Sequence, residues 1–283
     1  MAIPKHVSLL FLVGPRRSGS TLLYNVLCSD PGANEHVAEV QPLTRLLDAL
    51  AWSDANYERT TRFFFASPEA FARFTEDVCR DFLHHAWRAC GEPRSLVLKN
   101  PELSHHATTL CERLPEARFV VSVRDPRDQV VSELDVLERQ VAHGMRAAGM
   151  PSVPAEIVRS YLDCLGPLLL AAERSPERFH FVRYEDLVGD TRETVARLQA
   201  FTGLDLSAFS PEREWRRMAL SLDEMRRRPS FSALFGRPVS ARQVGTHRRR
   251  LSSADVAAIE AAASDVMRRF SYPAASSRVP HRA

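Results

Sequence analysis

The chain has 283 residues, 45% hydrophobic and 26% charged, with a formal net charge of +3. Such values suit one α/β domain with a sizeable core and exclude a disordered or fibrous chain. The near balance of charge creates no global field that calls for nucleic acid as a partner.

The first element in chain order is the apolar run Val7–Val13. It is too short for a membrane span and has no cleavage-site pattern, so it is read as the buried first strand of a cytoplasmic protein. It leads into V-G-P-R-R-S-G-S-T-L-L at 13–23, which opens an amphipathic stretch carrying Leu22, Leu23, Val26 and Leu27. Strand, glycine-bearing turn and helix start together hold an anion on backbone N–H donors. A nucleoside-triphosphate loop requires G-x-x-x-x-G-K-[ST]. Gly14, Gly19 and Thr21 satisfy that pattern, but Ser20 occupies the lysine position and the basic residue is Arg17. The loop can cradle a phosphate but lacks the lysine that bridges β- and γ-phosphates, so it points to a ligand with no γ-phosphate to move.

A helix is expected over Glu69–Ala89, then a short strand around Leu96–Leu98 that ends at Lys99 in V-L-K-N-P-E. Lys5 and Lys99 are the only lysines. Leu103, Ala107, Leu110, Cys111 and Leu114 recur at helical spacing, and Arg118–Val123 reads as the third strand. The following S-V-R-D-P-R-D-Q-V-V-S at 122–132 places Arg124 just beyond the strand, with Asp125 as N-cap and Pro126 in the first turn of a helix. Ser132 lies two turns further on, so Arg124 and Ser132 suit a second phosphate. Val130, Val131, Leu134, Leu137 and Val141 continue that helix, and 144–154 reads as a surface loop. Phe179–Val182 is the fourth strand, running into F-V-R-Y-E-D-L-V, where Tyr184 suits either stacking on a base or the core. Residues 205–245, rich in Arg and Pro, read as a mobile cover or a long irregular connection. Ser252 and Asp255 form a capping box before Val256, Ile259, Ala263, Val266, Met267 and Phe270 on one helical face.

This alternation predicts a P-loop-like, doubly wound parallel sheet of about four to five strands flanked by helices. Residues 1–272 are expected to form one domain with acceptor-shaping insertions near 40–95 and 205–245, and 273–283 a flexible tail. Three strands end in a basic residue or basic turn, at Arg17, Lys99 and Arg124, and ligands of open parallel sheets collect at such strand ends. The five cysteines are odd in number and form no C-x-x-C pair, which fits reduced thiols. His84-His85 and His105-His106 lack metal-ligand spacing, and no metal site is expected.

The phosphate turn, R-D-P-R-D-x-x-x-S at 124–132, V-R-Y-E-D-L and V-G-T-H-R-R-R-L-S before a helix occur in an order that resembles sulfotransferases using 3′-phosphoadenosine 5′-phosphosulfate. The resemblance covers roughly residues 7–272 and is nearest the bacterial and tyrosylprotein branches, whose turn reads R-S-G-[ST]-T-L. It implies that Arg17, Ser18, Gly19, Ser20 and Thr21, with Arg16 beside them, hold the 5′-phosphosulfate. Arg124 and Ser132 would hold the 3′-phosphate, and Tyr184 would lie near the adenine. The catalytic histidine of cytosolic eukaryotic members falls at Pro101, so that base is absent. Ser240–Arg242 stands where those members have R-K-G, and His247 where they have tryptophan; Arg242, Arg248 and Arg249 are candidate replacements. By the same resemblance Glu39 is the expected base, with Glu35, His36 and Glu102 as alternatives. Arg17 would stabilise the leaving phosphate, Lys99 is a further candidate catalytic residue, and no metal is required because no polyphosphate charge needs neutralising.

The implied acceptor carries a hydroxyl, on a small molecule or a peptide. Phe63, Phe64, Phe65, Phe71 and Phe74 suit either an aromatic acceptor site or the core. Two other classes stay open: an ATP- and magnesium-dependent small-molecule kinase, for which Asp125 is the nearest metal ligand, and a non-catalytic nucleotide-binding protein.

Overall fold

Strand β1 (Ser8–Val13) has apolar residues at successive positions because both of its faces are covered. Leu9, Phe11 and Val13 enter one hydrophobic core, and Leu10 and Leu12 enter another, all at 3% exposure or less. The structure is a computed structural model and describes residues 3–145, 151–213, 215, 218, 219, 221–232 and 234–274. Among these residues the sheet has four parallel strands, in the order β2 (Ser95–Lys99), β1, β3 (Arg118–Val123) and β4 (Phe179–Arg183). These are the four runs expected from the sequence. The chain moves from β1 to one side and then returns to the other, so the strand order reverses at β1. The crevice at the carboxyl ends of β1 and β3 is therefore the place where such sheets take ligands.

The helices in chain order are α1 (Ser20–Leu27), α2 (Gln41–Ala55), α3 (Pro68–Ala89), α4 (Ala107–Arg113), α5 (Pro126–Ala142), α6 (Pro154–Arg174), α7 (Tyr184–Gly189), α8 (Thr191–Thr202), α9 (Leu222–Arg227), α10 (His247–Arg250), α11 (Ser253–Ala262) and α12 (Ser264–Arg269). Leu23, Tyr24 and Leu27 of α1 and Leu198 of α8 cover one sheet face. Leu43 and Leu47 of α2, Leu83 of α3, Leu110 of α4, and Tyr161 and Leu165 of α6 cover the other. Phe11, Phe119 and Phe179 stack across three adjacent strands, with ring centroids 5.6 and 4.7 Å apart.

Local chemistry sets the helix ends. Ser67 accepts from the Ala70 N–H at 3.2 Å to start α3, and Asp125 accepts from the Arg127 N–H at 2.9 Å to start α5. Ser252 accepts from the Asp255 N–H at 3.1 Å to start α11. The single helix expected from there to Phe270 breaks at Ala263 (φ −102°, ψ 17°) into α11 and α12. Its periodicity survives the break, since Ile259, Ala263, Val266 and Met267 are all buried. The aromatic group of the α2–α3 region divides. Phe71 is buried at 3% exposure, while Phe63 and Phe64 are 71% and 82% exposed. Part of the 144–154 loop (146–150) and the tail from 275 lie outside the described residues. No helix among the described residues is long and apolar enough to cross a membrane. No disulfide joins any of the five cysteines among the described residues.

Candidate active site

The turn after β1 is built for close approach. Gly14 has φ +120°, and a Cβ there would overlap the carbonyl of Ser122 on β3. Gly19 has φ +89°, and a Cβ there would stand 2.5 Å from the Tyr184 ring. Only glycine fits both demands. Arg17 itself adopts φ +62°, a left-handed conformation that costs a non-glycine residue roughly 1–2 kcal/mol. Such strain is characteristic of a site held in shape by its surroundings. Ser18 supplies part of that hold: its hydroxyl lies 2.5 Å from both the Pro15 carbonyl and the Ser122 hydroxyl, and it is buried away from the cleft. Gly19, Ser20 and Thr21 face the cleft at the start of α1.

The cleft has a volume of about 940 Å³ and gathers the two phosphate motifs. Arg17, Arg124, Ser132 and Tyr184 all line it. Arg17 donates from Nε to Ser132 Oγ at 3.2 Å and from Nη1 to the Ser230 carbonyl at 3.2 Å. Burial pushes its pKa down to about 10, against the pull of Glu133 and with the help of Arg124, Arg139 and Arg16, so it stays a cation at neutral pH. Arg124 lies 4.6 Å over the Tyr184 ring and donates to the carbonyls of Arg17 (3.1 Å) and Gln243 (2.6 Å). Its Nε is buried with no hydrogen-bond partner. An orphaned guanidinium N–H beside a glycine-bearing turn fits a phosphate-bearing ligand.

Lys99 ends β2 at 5% exposure. Its ammonium donates to Glu39 Oε1 at 2.7 Å and to Thr21 Oγ1 at 3.4 Å. Burial lowers its pKa, while the Glu39 carboxylate opposes the shift. The backbone keeps this pair in place, because the Val40 N–H donates to the Lys99 carbonyl at 3.0 Å. The Glu39 side chain remains 48% exposed and therefore reachable. The other carboxyl and imidazole candidates sit differently. Glu35 is exposed in a separate depression beside Pro93 and Arg94. His36 is buried between Tyr24 and Trp215, and burial, with Lys99 nearby, holds its pKa down near 3. Glu102 is bound by Arg45 and Gln41, both at 3.0 Å.

The late segment is anchored by Asp128, which accepts from the N–H groups of Gly245 (2.6 Å) and His247 (2.9 Å) and lies 2.7 Å from His247 Nδ1. Burial works to raise the Asp128 pKa, but these bonds outweigh it and hold the carboxyl below its ordinary range. The anchor brings Gln243 and Ser240 to the cleft and leaves Arg242 and Arg248 exposed and outside its lining. Arg16 also stands apart. Its guanidinium pairs with Glu133 at 3.3 Å and lines a second cleft of about 1060 Å³ with Glu102, Gln129 and Tyr161.

The sequence reading did not single out Arg139, Trp215, Phe231 and Phe235, which also line the first cleft. Arg139 carried a signal, seven residues after Ser132 and so on the same face of α5. The three aromatics come from an irregular segment in which no periodicity marks them.

A profile of the sulfotransferase family matches residues 10–208. The chain belongs to the sulfotransferase family. This sulfotransferase is 31% identical over 121 residues to the omega-hydroxy-beta-dihydromenaquinone-9 sulfotransferase Stf3 of Mycobacterium tuberculosis, a match over 42% of this chain and 31% of that relative. The chain thus spans under a third of that relative's length. Its fold resembles the sulfotransferase domain of the Synechococcus PCC 7002 olefin synthase, with TM-score 0.59 and 18% identity over 96% of this chain and 98% of that one. It also resembles sulfotransferase STF9 of Mycobacterium avium, with TM-score 0.51 and 15% identity over 94% of this chain and 78% of that one.

Proposed function

We propose that this protein is a cytoplasmic enzyme that transfers a sulfuryl group from 3′-phosphoadenosine 5′-phosphosulfate to an acceptor hydroxyl, with Glu39 as general base. The observation that supports this best is at Lys99. One buried ammonium holds both the exposed Glu39 carboxylate and the Thr21 hydroxyl of the phosphate turn. Base and donor site are thereby joined at a single residue.

In this reading the donor brings a sulfur already bonded to a good leaving group, a phosphate oxygen. The acceptor oxygen forms a bond to sulfur while its proton passes to Glu39. The bond from sulfur to the 5′-phosphate oxygen breaks, and the phosphate keeps the electron pair. Arg17, Lys99 and the N–H groups of Gly19, Ser20 and Thr21 stabilise the charge that grows on that phosphate. Arg124 and Ser132 hold the 3′-phosphate, and Tyr184, under the Arg124 guanidinium, packs on the nucleoside side. Ser18 contributes through the shape of the turn, its hydroxyl being engaged. No metal has a part, because these cations supply the charge.

The acceptor hydroxyl has to reach Glu39, so the acceptor docks on the exposed side of that carboxylate, next to Lys99 and Thr21. The relative named for an omega-hydroxy-menaquinone acceptor supports an alcohol as the acceptor class. A magnesium-dependent kinase finds little support at Asp125, whose two carboxylate oxygens are both bound by Arg127, at 2.9 and 2.6 Å.

Calorimetric titration with 3′-phosphoadenosine 5′-phosphate (PAP) in a chelator tests the reading. Metal-independent binding, weakened at least tenfold by Arg17→Ala or Arg124→Ala, is the expected result. Preference for ATP with magnesium would overturn it.

A further inference from the structure

Four arginines, Arg17, Arg124, Arg139 and Arg237, line the donor cleft, and the first three are hydrogen-bonded to main-chain carbonyls. Arg17 donates to Ser230 at 3.2 Å, and Arg124 donates to Gln243 at 2.6 Å. Arg139 donates from Nε to Pro229 at 3.2 Å and from Nη2 to Phe231 at 3.3 Å. The carboxylates close by are engaged elsewhere: Glu133 with Arg16 at 3.3 Å and Asp135 with Arg250 at 3.0 Å. The hydrogen-bond partners of Arg17, Arg124 and Arg139 are therefore neutral oxygens, while the Glu133 carboxylate pulls on Arg17 through space and Asp135 lies in the cleft wall. A phosphate offers a guanidinium two negatively charged oxygens in bidentate geometry, which a single neutral carbonyl does not, so an arriving phosphate competes with such carbonyls.

The placement of Arg139 is specific. Ser132, Asp135 and Arg139 stand at i, i+3 and i+7 on α5 and all line the cleft. The seven-residue step spans about 10 Å along the helix axis. Long helical side chains lean back toward the helix N-terminus, which carries the Arg139 fork toward Ser132 and Arg17. The lowering of the Arg17 pKa by Arg139 agrees with that proximity. Meanwhile Arg242 and Arg248, the late-segment arginines, lie exposed outside the lining.

We propose that Arg139 is a donor-binding residue, supplying from α5 a guanidinium for the 3′-phosphate and exchanging the Pro229 and Phe231 carbonyls for phosphate oxygens as it does so. The inference rests on the donor reading above. It makes the 229–231 strap responsive to the 3′-phosphate, since the group that holds the strap is the group that binds the ligand.

The test compares PAP with adenosine 5′-monophosphate (AMP), which lacks the 3′-phosphate, by calorimetry on the full chain. Arg139→Ala is expected to weaken PAP binding about tenfold or more and to leave AMP binding within about twofold, because the lost bonds are to the 3′-phosphate alone. Arg139→Lys, which keeps the charge and stem, is expected to show a smaller loss of the same selectivity, and it carries the test should the alanine variant fold poorly. Arg242→Ala and Arg248→Ala are expected to bind PAP as the wild type does. Equal losses for PAP and AMP in the Arg139 variants would reduce Arg139 to a structural clasp, and unchanged PAP affinity would remove it from the site. Either result overturns the inference while the donor reading stands. A wild-type protein that ignores PAP overturns the donor reading and this inference with it.

Discussion

Glu39 and Lys99 were named from the sequence for different reasons, one from a resemblance and one from its place at a strand end. The structure sets them 2.7 Å apart. That pairing leads to a sharp expectation. Glu39→Gln keeps a hydrogen-bonding group against Lys99 but removes the proton acceptor. Turnover should fall by roughly 10²–10⁴-fold, measured as product formed from radiolabelled donor, while PAP affinity stays within about twofold because Glu39 does not line the donor cleft. Retained turnover would move the base elsewhere. Motif spacing made the phosphate turn legible, as positive φ and the close approach of Ser122 and Tyr184 require glycine at Gly14 and Gly19. It did not separate Arg16 from Arg17. The left-handed backbone at Arg17 sends the two neighbours into different clefts, and no residue-level pattern encodes that.

At the scale of elements, the four strands and helices α1, α3, α4 and α5 were readable from their apolar runs and periods, whereas α2, α6 and α8 went unnamed although Leu47, Leu165 and Leu198 reach the core. The 205–245 segment had no such period to read. It is held by Arg17, Arg139 and Arg124 donating to its carbonyls, and by Asp128 accepting from the N–H of its last residue, Gly245. Such bonds join residues about ninety or more positions apart and leave no local period. Asp128 offers a direct check. Its carboxyl is held below its ordinary 3.8 in the folded protein. The stability it contributes is therefore fully present above about pH 4 and is lost as pH falls through the lowered folded value. Asp128→Asn should destabilise the protein by about 1–3 kcal/mol at pH 7, seen as a lower melting temperature. The gap from wild type should close as the pH is taken below about 4. A gap that persists unchanged there would assign the role to shape instead of charge.

Across the whole molecule, the sheet does two jobs with one geometry. Its faces carry the stacked row of Phe11, Phe119 and Phe179, and its carboxyl edge carries the cations. Phe119 is the middle ring, fully buried on a strand paired on both sides. Phe119→Ala should cost about 3–5 kcal/mol in urea unfolding. Ligand binding to the folded fraction should fall less than stability does, since Phe119 belongs to the core and does not line the cleft. A loss under 1 kcal/mol would mean that the two cores are less dependent on β3 than the packing indicates.

The scarcity of lysine has a practical consequence. Lys5 is exposed and Lys99 is buried beneath the phosphate turn, and the chain has no other lysine. Among the side chains, amine-acylating reagents should therefore mark Lys5 and pass over Lys99 while the site is intact. Any acyl group found on Lys99 by peptide mass mapping records an excursion in which the Glu39 contact has opened. The protein thus carries a single-side-chain footprint of its own site, readable without introducing a label.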